Sequence, residues 1–69
     1  MSYWADYAIE QLLNTKTRES IIEYIDSYGD HTDWSDWTTR QVLEEVWRSD
    51  QEAGEEDNGI LISMAQEIL

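Results

Sequence analysis

Apolar residues recur along most of this chain at the three- and four-residue spacing of a helix rather than the alternation of a strand. In the first segment Ala5, Ala8, Ile9, Leu12 and Leu13 carry that spacing, which predicts a helix from about Tyr3 to Leu13, broken by Asn14 and Thr15. At about 100° per residue, these five and Trp4 occupy one half of the helix, and Tyr3, Asp6, Tyr7 and Glu10 the other. The outward half is therefore aromatic and acidic together. A second helix is predicted from about Arg18 to Tyr28, with Thr15 or Thr17 as N-cap and Gly29 as its left-handed stop. Ile21, Ile22, Ile25 and Tyr28 form its apolar stripe. Glu19, Glu23 and Asp26 share a strip only about 60° wide, roughly opposite the isoleucines.

Residues 30–37, Asp-His-Thr-Asp-Trp-Ser-Asp-Trp, are rich in turn and cap formers and read as a connecting loop or a single helical turn. A third helix follows from about Thr39 to Arg48. Thr38-Thr39-Arg40-Gln41 matches a capping box, and Val42, Leu43, Val46 and Trp47 supply the buried face. Arg40, Glu44 and Arg48 stand four residues apart and can pair as a ladder, which would neutralise this helix locally and leave the acidic excess on the first two helices and the loops. The stretch from Asp50 to Gly59 is polar, with an Asn-Gly turn signal, and is expected to be a mobile loop. Ile60 to Leu69 is apolar around about 200° of a helix, more than one packing partner requires. It is either the central element of the bundle or half of a dimer interface; a short strand through residues 60–62 is the weaker alternative, because alternation is absent.

These elements predict an all-α fold, one domain over residues 1–69, built as a small bundle of three to four short helices. The expected core is Ile9, Leu12, Ile21, Ile25, Leu43, Val46, Leu61, Ala65 and Ile68. Four Trp and four Tyr within 69 residues separate the chain from disordered acidic tails, which are poor in aromatics. Trp47 and Trp4 read as packing residues. Trp34 and Trp37 either close the open end of the core or anchor an interface, where Trp and Tyr are enriched.

Charge narrows the function. Sixteen Asp and Glu against four Lys and Arg give a formal charge of −12, beyond the magnitude of about 2–8 that solubility asks of a small domain. The basic residues, Lys16, Arg18, Arg40 and Arg48, are scattered, so direct binding to nucleic acid is not expected. Anionic membranes are disfavoured for the same reason, and no apolar run approaches the roughly 20 residues needed to span a bilayer. The first residues lack a signal peptide's basic and apolar regions, and a soluble cytoplasmic protein is the expectation. No cofactor is expected. Metal binding is not expected either: His31 is the only histidine, cysteine is absent, and a calcium-loop register from Asp50 fails because Gly54 and Glu55 fall where an acid and a glycine are required. Only loose divalent binding by the 50–57 loop remains. No phosphate loop, nucleophile elbow or Cys/His pair is present and a core this small leaves little room for a ligand cavity, so no enzyme is expected.

The unpaired strip Glu19, Glu23 and Asp26, extended by Asp30, Asp33 and Asp36 and flanked by Asp6 and Glu10, suggests carboxylates displayed where a basic protein expects phosphates. Tyr3 and Tyr7 join this partner-binding set. In length and composition, over the whole chain but without a diagnostic motif, the protein resembles the small acidic inhibitors that bacteriophages encode against host nucleases and restriction or CRISPR machinery. The resemblance implies a basic nucleic-acid-binding protein or complex in the host cell as partner, and assigns no residue roles. Two other readings stand beside it: a helical interaction module that homodimerises through Ile60–Leu69, and an acidic chaperone for a basic partner. Solubility alone, or adaptation to high salt, would also produce an acidic composition.

Overall fold

The computed structural model describes residues 3–54 and 59–69, and within them four helices and no strand: α1 Tyr3–Thr15, α2 Arg18–Ser27, α3 Thr39–Glu52 and α4 Ile60–Gln66. The fold is a small all-α bundle.

Each boundary has a local cause. At the end of α1, Thr15 Oγ1 donates to the Gln11 carbonyl at 2.7 Å. Two residues later Thr17 caps α2, its hydroxyl accepting the Ser20 amide at 3.1 Å. Gly29, at φ +94°, then turns the chain out of α2 in the left-handed conformation that strains residues with a side chain. The capping box of α3 is present on both sides: Thr38 Oγ1 accepts the Gln41 amide at 3.1 Å, and the Gln41 side chain accepts the Thr38 amide at 2.9 Å.

α1, α3 and α4 pack against one another, and α2 joins them through Ile21 and Ile25. The predicted core residues are buried, except that Ile68 is half-buried against the cluster; Ala5, Ala8, Val42, Met64, Trp34 and Trp47 complete the interior. The radius of gyration, 10.9 Å, is close to the roughly 11 Å of a compact chain this long. Trp4 tilts against Trp47 at a centroid distance of 5.8 Å, and Trp34 meets Trp37 edge to face at 5.0 Å. Trp34 is buried while Trp37 stays partly exposed. The pair thus closes one end of the core, the packing role of the two considered above.

Several expectations change. Tyr28 belongs to the cap of α2, not to its buried stripe, and is exposed. α4 stops at Gln66 and turns Leu69 outward. Its apolar excess is absorbed by neighbours on several sides, Leu61, Met64 and Ala65 being buried and Ile60, Ile62 and Ile68 half-buried. Most consequentially, α3 runs one turn past Arg48, so Asp50 lies inside a helix and is 5% exposed. Its two carboxylate oxygens accept the Ile60 and Leu61 amides at 3.1 and 3.0 Å. Gly59, the N-cap of α4, has no side chain to do this. A carboxylate from the neighbouring helix therefore supplies the cap, placed where the helix dipole favours negative charge. Of the expected 50–59 loop, Glu55, Glu56, Asp57 and Asn58, with the turn signal and the loose cation site assigned there, lie outside the described residues.

Candidate functional site

The acidic surface is shaped first by where its few cations go. Arg40 does not join a ladder along α3; it crosses to α1 and donates to Glu10. Arg48 forks onto Glu45 at 2.8 and 2.6 Å and reaches Glu52 at 2.7 Å, bypassing Glu44. Lys16 pairs with Glu67 at 3.3 Å. The Arg18 guanidinium is drawn inward, donating to the Trp34 carbonyl at 2.6 Å and to Thr39 Oγ1 at 3.4 Å, and so ties the start of α2 to the 30–37 loop and α3. All four basic side chains are thus engaged within the chain. α3 is not self-neutralised as the ladder would have made it, because Arg40 is spent on α1. The expected confinement of acidic excess to α1, α2 and the loops is therefore too narrow.

The predicted site residues fall into three groups. On α1, Tyr3, Asp6, Tyr7 and Glu10 line one shallow groove of about 270 Å³. On α2, Glu19 and Glu23 are exposed along a groove of about 490 Å³ that also contains Lys16, Tyr24 and Glu67. Glu67, outside the predicted set, lies just past α4 and is held there by its pairing with Lys16 ahead of α2. Its charge is met there by Lys16, so Glu19 and Glu23 are the uncompensated acids of this groove; carboxylates one helical turn apart rise about 6 Å, whereas DNA phosphates recur about every 3.4 Å along a strand. Asp26, the third member of the strip, is not unpaired: His31 Nδ1 lies 2.5 Å from its carboxylate.

The loop acids have local duties. Asp30 accepts the Thr32 amide at 3.1 Å and the Thr32 hydroxyl at 2.5 Å. Asp33 accepts the Ser35 amide at 3.0 Å, and that hydrogen bond holds its carboxyl below the usual aspartate range. Asp36 is exposed beside Trp37, on a groove of about 440 Å³ that it shares with Glu44 and Glu45. Among the described residues, Asp6, Glu19, Glu23, Asp36 and Glu44 make no ion pair or side-chain hydrogen bond.

Next to the α2 groove, the Tyr24 and Tyr28 rings stack at 5.3 Å with their hydroxyls 3.3 Å apart. Burial, then the bond to Tyr28, pushes the Tyr24 phenol up to about 12. Tyr28 is lowered, first by Ser63 and then by Tyr24. On α3, the bond from Arg48 lowers Glu45, and the carboxylates of Glu45 and Glu52 raise Arg48. Among the described residues no group of three or more histidines and acids is placed to hold a metal ion, and no helix is long and apolar enough to cross a membrane. The grooves are open to solvent and lined by acids, polar side chains and aromatic rings, with Lys16 in the α2 groove and Arg48 in the α3 groove each already paired to an acid and, among the described residues, no basic residue lining the α1 groove.

Compared with protein-family models, curated proteins and solved structures, the chain matches none.

Proposed function

We propose that this protein is an acidic inhibitor that occupies the basic site of a nucleic-acid-binding protein or nuclease complex by presenting carboxylates in place of phosphates. One observation carries the reading: each of the four Lys and Arg side chains is held by an internal partner, while Glu19 and Glu23 stand without an ion pair along one solvent-facing groove. Such a surface attracts a basic partner from a distance, and screening by salt weakens the attraction. Uncompensated charge of this size costs a small fold stability through self-repulsion, a cost that a role in recognition explains and packing does not. The resemblance to phage inhibitors points to a host nuclease, restriction or CRISPR complex in the cytoplasm as the class of partner.

Capture of a basic protein on the immobilised chain, followed by competition with duplex DNA, tests this. The partner should leave as salt rises from roughly 50 to 500 mM, be displaced by DNA, and fail to bind a Glu19→Lys, Glu23→Lys, Asp26→Lys variant whose helicity is intact. Binding that survives the triple reversal, or ignores salt, refutes the proposal. The sedimentation mass of the free chain tests the homodimer alternative.

A further inference from the structure

Carboxylates standing in for phosphates do not by themselves account for the aromatic rings on the outer face of α1. Tyr3 is 93% and Tyr7 52% exposed, and neither packs into the core. They stand one helical turn apart, as Tyr24 and Tyr28 do, yet only the latter pair stacks. The Tyr3 and Tyr7 rings leave a groove of about 270 Å³, closed along its other edge by Asp6 and Glu10. All four residues fall within about 100° of the helix circumference, acids on one side and phenols on the other.

We infer that this face is a slot for an arginine side chain of the basic partner, the guanidinium stacking on the tyrosine rings while its edge hydrogen-bonds Asp6. The inference rests on the proposed function and names the partner chemistry at one point of its surface. Charge complementarity selects a cation, and the paired rings select its shape. A planar, weakly hydrated guanidinium stacks on aromatic faces, whereas a lysine ammonium is compact and strongly hydrated. The fold already seats one guanidinium at the edge of this groove, that of Arg40 on Glu10, which leaves Asp6 as the carboxylate available to a second.

The test titrates the full chain with hexa-arginine and hexa-lysine peptides of equal charge and follows backbone amide shifts. Arginine should bind about three- to tenfold tighter than lysine and perturb residues 3–10. Because arginine-rich peptides can favour any anionic surface, the deciding quantity is how the arginine-to-lysine ratio changes. Tyr3→Ala with Tyr7→Ala should bring it close to one, Tyr3→Phe with Tyr7→Phe should preserve most of it, and Glu19→Gln with Glu23→Gln should weaken both peptides alike without altering it. A ratio near one in the unaltered chain, or one that survives loss of both rings, overturns the slot and leaves the inhibitor reading standing. Failure of both peptides to bind at low salt overturns both.

Discussion

Replacing Asp50 by Ala should destabilise this protein more than replacing any other acid among the described residues. The carboxylate accepts two amides at the start of α4, from Ile60 and from the buried Leu61. Hydrogen bonds to charged groups contribute roughly 1.5–3 kcal/mol each, and a buried donor left without an acceptor costs about 1–3 kcal/mol. Ile60 N is only part-buried and can recover water, so the expected loss is about 3 kcal/mol rather than the full sum. A domain of this size holds roughly 3–10 kcal/mol in all. Loss of the cap therefore removes a large share, equivalent to a fall in Tm of about 12–24 °C. α4 has seven residues, too few to persist without its cap and its packing. Tryptophan fluorescence during thermal and urea unfolding supplies the stability, and hydrogen exchange at the Ile60 and Leu61 amides locates it. Asp50→Asn, which keeps one acceptor oxygen, should lose about half as much. Asp36→Ala removes the same charge from an exposed site and should change stability by no more than about 0.5 kcal/mol, correcting for relieved repulsion. A Tm for Asp50→Ala within about 3 °C of the Asp36→Ala control would refute the capping role.

Two further outcomes follow from the internal use of the cations. Arg18→Met keeps the apolar stem but frees the Trp34 carbonyl and should cost about 1–2 kcal/mol, with faster exchange across the 30–37 loop; an unchanged urea midpoint would show that the loop holds without it. The Arg48 bond lowers the folded-state value of Glu45 below its unfolded one. Its contribution is thus fully present above the ordinary glutamate range and disappears as pH falls through the lowered value. Glu45→Gln should therefore lower stability slightly in the neutral region, leave the strongly acid end little changed, and so flatten the acid limb of a stability-versus-pH curve; an identical acid limb in the variant would contradict the assignment.

Much of the fold was legible in the sequence because the information was local. The isoleucine spacing of α2 faces one side of any helix, Thr17 and Gly29 bracket it chemically, and Thr38 with Gln41 announces the start of α3 whatever packs nearby. The same locality placed Glu19 and Glu23 on the outer strip of α2. Asp50 was missed for an instructive reason. Leu43, Val46, Trp47 and Asp50 continue one helical spacing, so the signal existed, but an acid at a core position reads as the end of the helix unless its partner is known. That partner, the bare start of α4, is ten residues away along the chain and adjacent only after folding.

Charge pairing failed to be legible for the same cause. Arg40 had Glu44 one turn away and chose Glu10, thirty residues distant; Lys16 paired with Glu67 across fifty-one residues. Exposed ion pairs are worth about 0–1 kcal/mol, too little to dictate packing, so they form wherever the burial of apolar side chains happens to leave their owners. Composition determined that this chain is acidic and short of cations, and the spacing of its apolar residues that it is helical. Which carboxylates stay uncompensated, and beside which rings, was decided by the way α1, α3 and α4 closed over their shared core, since hydrophobic burial sets the helix positions and the weaker surface charges settle afterwards into the neighbours those positions provide.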